Sequence, residues 1–374
     1  MAVMLSQPLS DEFARRRERC RTLISTGPEP LDVFVVSDLT NIRYLSGFTG
    51  SNAALLISAA GSDGDRICTD GRYTTQIAEQ SGGLVAVIAR ACTEELVGAA
   101  VAAGASRIGF ESDVLTVAEH AQLTGGAAQG RQLLGRTGLV AELREVKDDA
   151  EVELLRRACA IGDAALAEII SDGVIRAGAT ERDVARALEN AMFRHGADEI
   201  SFETIVAAGP NSAIPHHRPT SAVLADGDFV KIDFGAVASG YHSDMTRTYV
   251  LTRAADWQRE IYDLVERAQA AGRAALAPGA DLRGIDAAAR SVIENAGYGE
   301  QYVHGLGHGV GLDIHEAPGI GKLATGTLPS GAAVTVEPGV YLPGRGGVRI
   351  EDTLIVTDGE PDLLTTTDKT FTVI

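Results

Sequence analysis

Asp233 interrupts the largely apolar run VKIDFGA, and Asp244 lies in the next strand-like run, YHSDMTRTYVL. This placement constrains the chain more than any other feature. A strand buried on one face accepts an ionised carboxylate only where the charge finds a partner, because a buried unpaired charge costs several kcal/mol. A short turn separates the two runs, so they read as a hairpin. With the two-residue loop at Ala238-Ser239 the two aspartates face each other directly. With the loop at Ser239-Gly240, Asp244 becomes the diagonal neighbour. In both registers the carboxylates share one face.

A second hairpin repeats the pattern. In AAVTVEPGVYLPGRGGVRIEDTLIVT, a turn centred on Gly344 sets Glu337 opposite Glu351. Val334, Val336, Val348 and Ile350 take the alternate positions and form the core face. Like charges directly opposite are destabilising, so four half-buried acids call for cations between them. Lys231, Arg247 and Arg349 are too few to neutralise all four as surface salt bridges, and bound divalent metal is the expectation. The segment YVHGLGHGVGLDIHEAP offers His304, His308 and His315 as further ligands. Glycines at 305, 307, 309 and 311 are expected to let the backbone approach a ligand closely. With His308 the set is four carboxylates and one imidazole, and two divalent cations balance the four negative charges. Oxygen-rich ligation favours Mn(II), Co(II) or Zn(II). A third cluster, GPNSAIPHHRPT, holds His216 and His217, between which the residues alone do not choose.

The 374-residue length exceeds what one hydrophobic core usually serves, so two domains are expected. The first, residues 1–140, interleaves strand-like runs (LDVFVVS, AALLIS, RICTDG, LVAVIA, SRIGFES) with helical stretches, the pattern of an α/β domain. An early helix near Ser10 carries RRRERCR, expected as a solvated charged face. Leu139 to Lys147 reads as a connection. The second domain, 148–374, opens with a helix near Asp148 bearing an apolar stripe at Val152, Leu155, Ile161, Leu166, Ile169 and Ile170. A capping box at Thr180–Asp183 starts the next helix. Helices over 255–276 and 282–296 follow, the second flanked by Asp281 and Gly297. Two helices then a hairpin, twice over, suggest an internal duplication.

A net charge of −18 (33 basic, 51 acidic residues) argues against nucleic acid and anionic membrane as partners. The four scattered cysteines fit reduced thiols. No apolar run reaches transmembrane length, and apolar residues precede the arginine cluster at the N-terminus, the reverse of an export signal. A cytoplasmic protein is expected.

These motifs, with SDLTNIRYLSGFTGSNAALL and CTDGRY in the first half, resemble the pita-bread metallopeptidases, specifically the Xaa-Pro branch of prolidase and aminopeptidase P. The resemblance implies a creatinase-like α/β N-terminal domain and an α+β pita-bread (creatinase/aminopeptidase-like) catalytic domain. It implies metal ligands Asp233, Asp244, His308, Glu337 and Glu351, with Asp244 and Glu351 bridging or chelating two divalent ions, most often Mn(II). His216 matches an active-site histidine, whereas His217 matches no assigned position. His304 and His315 match residues that contact substrate and stabilise the tetrahedral intermediate. Arg349 matches an arginine near the site, and Glu337 is placed to shuttle a proton. The implied reaction is hydrolysis of the Xaa-Pro bond in dipeptides or short proline-containing peptides by a homodimer, either as a dipeptidase or as an aminopeptidase. Two other readings use the same fold: a metal-free creatinase-like amidinohydrolase and a non-catalytic interaction module. The filled ligand set argues against both.

Overall fold

The computed structural model describes the backbone from residue 7 to 374 and the side chains from residue 11. Residues 1–6, on which the expectation about an export signal partly rests, lie outside the described residues. The chain divides into two compact units, one ending at Arg144 and the other spanning Glu145–Ile374.

In the first unit α1 (Gln7–Thr26) is followed by β1 (Val33–Val36), α2 (Leu39–Ser46), β2 (Ala53–Ser58), β3 (Arg66–Thr69), α3 (Thr74–Gln80), β4 (Val85–Ile88), α4 (Cys92–Ala102), β5 (Arg107–Glu111), α5 (Val117–Gly125), β6 (Gln132–Arg136) and α6 (Leu139–Glu145). The strands form one six-stranded sheet in the order β4-β3-β2-β1-β5-β6. β1 runs antiparallel to β2 and parallel to β5, the mixed pairing of an α/β domain with hairpin and crossover connections. One expectation holds only in part here. The arginine run is a solvated face only in part: Arg15, Glu18 and Arg19 are exposed, but Arg16, Arg17 and Arg21 are buried, donating to the carbonyls of Tyr44 and Leu45 and to the Asp65 carboxylate. Long basic side chains bury their stems and spend their heads on backbone acceptors, which sequence charge counting does not register. The boundary between the two units falls inside the stretch expected as a connection, Leu139 to Lys147, which is largely the helix α6.

The second unit opens with α7 (Asp149–Ser171), whose N-cap Asp148 forms a capping box with Glu151. Leu155, Ile161, Leu166 and Ile169 of the expected stripe are buried, while Val152 and Ile170 are only partly so. Then come α8 (Glu181–Arg194), capped by Thr180 and Asp183, and strands β7 (Glu199–Ile200), β8 (Ile205–Ala208), β9 (Phe229–Phe234), β10 (Ala236–Ala238), β11 (Tyr241–His242) and β12 (Met245–Val250). The second helical pair is α9 (Asp256–Ala274) and α10 (Leu282–Asn295), and Asp281 caps α10 by accepting from the Gly284 amide. Strands β13 (Gly307–Gly309), β14 (Glu316–Ile320), β15 (Ala333–Val336), β16 (Gly339–Leu342), β17 (Gly346–Arg349), β18 (Asp352–Ile355) and β19 (Asp362–Leu363) complete the chain. The helix-helix-sheet order thus occurs twice. The pair α7 and α8 covers β8 and β9 through Ala165, Leu188, Val206 and Ile232. α9 and α10 cover the later strands through Val265, Ile285, Val334 and Val336. Both layers of helix leave the opposite strand faces free to build a site.

Candidate active site

Strand alternation puts the acids on the face turned away from the helices. In β9, Val230, Ile232 and Phe234 enter the core beneath α7 and α8, so Lys231 and Asp233 point the other way. Ladder pairing sets Asp233 opposite Thr246. The reverse turn is therefore Ser239-Gly240, with φ of 49° and 84°, and Asp244 is the diagonal neighbour of Asp233 rather than its direct partner. Two successive residues with positive φ make the primed turn that suits strand twist. A loop at Ala238-Ser239 would instead put alanine at positive φ.

The C-terminal hairpin keeps the expected register but breaks in the middle. Val336 pairs with Asp352 and Gly339 with Arg349, so Glu337 and Glu351 occupy the gap between two ladders. Each turns its backbone elsewhere. The Glu337 amide donates to the Leu306 carbonyl at 2.8 Å, and the Glu351 amide to the Thr246 carbonyl at 3.2 Å. The Thr353 hydroxyl adds a 2.8 Å bond to the Asp244 carbonyl. These cross-links join the two hairpins and bring acids from both to one place.

His308 arrives on β13, between β14 and β15. A Cβ at Gly307 would lie 2.0 Å from the Thr335 carbonyl oxygen, and one at Gly309 would lie 2.1 Å from that of Ala317. These two glycines serve close approach to neighbouring strands, whereas Gly305 lines the cavity itself. The result puts His308 Nε2 3.4 Å from Glu337 Oε1 and 3.6 Å from Asp244 Oδ2. One donor atom each from Asp244, His308 and Glu351 lie within 4.8 Å of one another.

The five expected ligands and four expected catalytic neighbours line a cavity of about 460 Å³: Asp233, Asp244, His308, Glu337, Glu351, His216, His304, His315 and Arg349, with His217 beside them. Phe202, Ile205 and Ile314 add apolar wall. Arg349 forms a buried ion pair with Asp233, so the salt-bridge alternative accounts for one acid. The other basic candidates go elsewhere. Arg247 pairs with Asp352, and Lys231 donates to the carbonyls of Ile214 (2.6 Å) and Pro215 (3.0 Å). Burial, reinforced by neighbouring carboxylates, holds Asp244 and Glu351 well above the usual carboxylate range. Burial also pushes Glu337 up to about 7, Arg349 opposing and Asp233 adding to the shift. Burial lowers His216, His308 and His315, and with Arg349 it drives His304 down to about 3, so these imidazoles are neutral at pH 7.

Whether divalent metal suits this set is answered by one atom. Asp233 Oδ1 is buried and has no hydrogen-bond partner, although its other oxygen is held by Arg349. Buried acceptors are almost always satisfied. An unpartnered carboxylate oxygen beside two acids that burial keeps from ionising is what a cation would relieve. The donor set, carboxylate oxygen and imidazole nitrogen, fits hard or borderline ions.

Some residues that shape the site left little mark in the sequence. Glu181 is fully buried and accepts from His217 Nε2 (2.8 Å), the Ala208 and Thr220 amides (2.9 Å each), the Thr220 hydroxyl (2.7 Å) and Asn211 (2.9 Å). It holds His217 through Nε2, and both His217 and its neighbour His216 line the cavity wall. Thr246 donates to Glu351 Oε2 at 2.6 Å, and Tyr341 hydroxyl meets both Arg349 Nη1 and His304 Nε2 at 2.8 Å. Strand parity offered the one available signal, since Thr246 is two residues past Asp244 and Tyr341 four past Glu337.

Residues 153–358 match metallopeptidase family M24. The chain belongs to that family. In this M24 metallopeptidase, residues 16–146 match the creatinase/prolidase N-terminal domain. The chain is 35% identical over 366 residues to the Bacillus subtilis (strain 168) protein named uncharacterized peptidase YqhT, covering 96% of this chain and 99% of that one. It is 41% identical over 231 residues to the Xaa-Pro dipeptidase of Pyrococcus furiosus, covering 62% of this chain and 66% of the relative. Among solved structures, the Xaa-Pro dipeptidase from Bacillus anthracis superimposes with a TM-score of 0.91 at 37% identity, covering 97% of this chain and all of that one. The X-Pro aminopeptidase from Thermotoga maritima gives 0.86 at 32%, covering 95% and 100%. The M24 catalytic unit therefore has the pita-bread fold, and the protein is a peptidase. The metal-free amidinohydrolase and non-catalytic readings are set aside.

Proposed function

We propose that this M24 peptidase hydrolyses the Xaa-Pro bond of dipeptides or short peptides, with two divalent cations held by Asp233, Asp244, His308, Glu337 and Glu351. The observation that carries the reading is the convergence of four carboxylates and one imidazole on a cavity where one arginine answers one acid. Neighbours named for Xaa-Pro dipeptidase and X-Pro aminopeptidase activity support the bond class. The cations would act as Lewis acids and supply activated water at neutral pH.

The chain's own residues do the rest. Thr246 and Thr335 fix the orientation of Glu351 and Glu337 by donating to one oxygen of each, at 2.6 and 3.2 Å. Arg349 does the same for Asp233. His216 and His315, kept neutral by burial, offer ring N–H groups to a developing oxyanion without adding charge to the ground state, while His304, its two ring nitrogens taken by the Gly305 carbonyl and the Tyr341 hydroxyl, presents its ring to the substrate. The proline nitrogen, like any amide nitrogen, must be protonated as it leaves, and Glu337, whose carboxyl burial holds up near neutrality, would deliver that proton. The apolar wall from Phe202, Ile205 and Ile314 suits a pyrrolidine ring. Mn(II) is the proposed ion, Co(II) and Zn(II) being compatible with the same donors, and the proposed working form is a cytoplasmic homodimer.

Incubation with an Xaa-Pro dipeptide and an Xaa-Pro-containing tripeptide, each with Mn(II), tests the reading. Dipeptide turnover is expected. Turnover of the tripeptide alone makes the protein an aminopeptidase of the aminopeptidase P type, a reading that the solved X-Pro aminopeptidase neighbour supports. Inactivity on both overturns the proposal.

A further inference from the structure

Helix α10 carries two buried ionic residues one turn apart, Asp286 and Arg290, which are 1% and 5% exposed. They form a two-pronged ion pair, Nε to Oδ2 at 2.7 Å and Nη2 to Oδ1 at 2.8 Å. A buried ion pair is weak evidence for stability, since desolvation offsets most of the attraction. What sets this pair apart is where the other guanidinium donors go. Nη1 donates to the Tyr302 carbonyl at 3.1 Å and Nη2 to the His304 carbonyl at 2.7 Å, while the guanidinium carbon stacks 3.9 Å from the centre of the Tyr302 ring. Asp286 fixes the plane of the guanidinium, and the guanidinium grips the chain on both sides of residue 303.

The gripped segment lies outside regular secondary structure, between α10 and β13, and carries His304 into the cavity. The ring geometry of His304 depends on its backbone. Nδ1 lies 2.8 Å from the Gly305 carbonyl, which only accepts, so Nδ1 carries the proton. Nε2 is then the acceptor of the Tyr341 hydroxyl, whose oxygen in turn accepts from Arg349. A shift of the His304 backbone by about 1 Å would break both contacts of the ring, and displacements of that size cost as much as about 10²-fold in rate.

We propose that Asp286 and Arg290 are a positioning pair, which touches no reacting atom and sets catalysis by holding the His304 segment so that its imidazole keeps one tautomer and one place on the cavity wall. This rests on the Xaa-Pro peptidase reading for its kinetic consequence, not for its structural one. The pair differs from the ligand acids in what it controls: it acts on the histidine that meets substrate, through backbone carbonyls.

The test uses Arg290→Lys in the full-length protein. Lysine keeps the charge but cannot hold Asp286 with two prongs and reach both carbonyls. With Mn(II) and an Xaa-Pro dipeptide, kcat is expected to fall about 10-fold or more, with bound metal per chain unchanged and KM little altered. In a His304→Ala background the same substitution is expected to cost nothing further, because its effect passes through the missing ring. Asp286→Asn, a milder change, should show the same dependence on His304 and carries the test if the lysine variant does not fold. Nitrogen-15 histidine spectra supply a readout independent of turnover: the His304 signal should show Nδ1 protonated in the parent protein and lose that signature in Arg290→Lys. Equal losses in the parent and His304→Ala backgrounds, or an unchanged His304 signal, would overturn the proposal. An inactive parent protein whose His304 signal still responds to Arg290→Lys would sink the peptidase reading and leave the positioning role standing.

Discussion

Glu351 and Asp352 are adjacent, both buried, and opposite in electrostatic fate. Asp352 receives Arg247 at 2.8 Å, Lys369 at 2.6 Å, Gln269 at 2.8 Å and the Thr365 hydroxyl at 3.0 Å. Burial opposes its charge, but Arg247 and Lys369 outweigh it, and its carboxyl sits below the usual range. Glu351 receives one hydroxyl, from Thr246, and shares its surroundings with Glu337, Asp233 and Asp244, so burial and its neighbours hold it far above that range. One step along a strand reverses the face and with it the supply of protein cations. A buried acid that the fold neutralises anchors the C-terminal segment, whereas a buried acid that it does not neutralise marks a place for an ion from solution.

The sharpest way to break this comparison is to remove each acid in turn. Asp244→Ala is expected to drop turnover of an Xaa-Pro substrate to background and to lower bound metal. Retained turnover would show that the unmatched acids are not the working centre. Next in size, Asp352→Asn should destabilise the protein by about 3–5 kcal/mol, because Arg247 is left buried without its charge partner. Glu351→Gln should do the reverse in metal-free protein at pH 8, raising Tm by removing an acid whose ionisation burial penalises. Thermal unfolding of both variants in chelator checks the pair of signs. A smaller effect is expected for His216→Ala, roughly 10²-fold in kcat with metal still bound. Loss of metal instead would put His216 among the ligands.

The least effect concerns pH. Glu337 titrates near 7 in the folded chain against an ordinary value of 4.5. Between those values the folded state holds a proton that the unfolded state releases, so this group's contribution to metal-free stability declines as pH rises through that window. A bound cation stabilises the deprotonated form and removes the decline. Melting curves from pH 4.5 to 7.5, with and without chelator, measure the difference, and parallel curves would contradict it.

Much of the site was legible because strand parity is local. Val230, Ile232 and Phe234 point to the core, and that fact alone assigns Asp233 to the other face. The same reasoning placed Glu337 and Glu351 level with each other even though their ladder breaks between them. Other features were illegible for equally physical reasons. The turn register at Ser239-Gly240 hinges on which residue tolerates positive φ, a difference of one position that sequence spacing left open. The burial of Arg16, Arg17 and Arg21 depends on carbonyls more than 25 residues away. Glu181 looked like an ordinary residue in the first turn of a helix, yet it organises the loop around His216 and His217 through acceptor capacity that only the folded loop reveals.

The amino-acid order by itself determined most of the succession of helices and strands, the faces on which the acids lie and the excess of acid over base around them, because side-chain alternation and capping act over a few residues. Tertiary structure alone decided that two hairpins more than 100 residues apart meet at Glu351 and Thr246, that Arg349 reaches Asp233 while Arg247 turns to Asp352, and that Arg290 grips the His304 segment. Those pairings are choices among many acceptors of equal chemistry. Packing of the helices on the sheets brings one within hydrogen-bond distance and carries the rest out of reach.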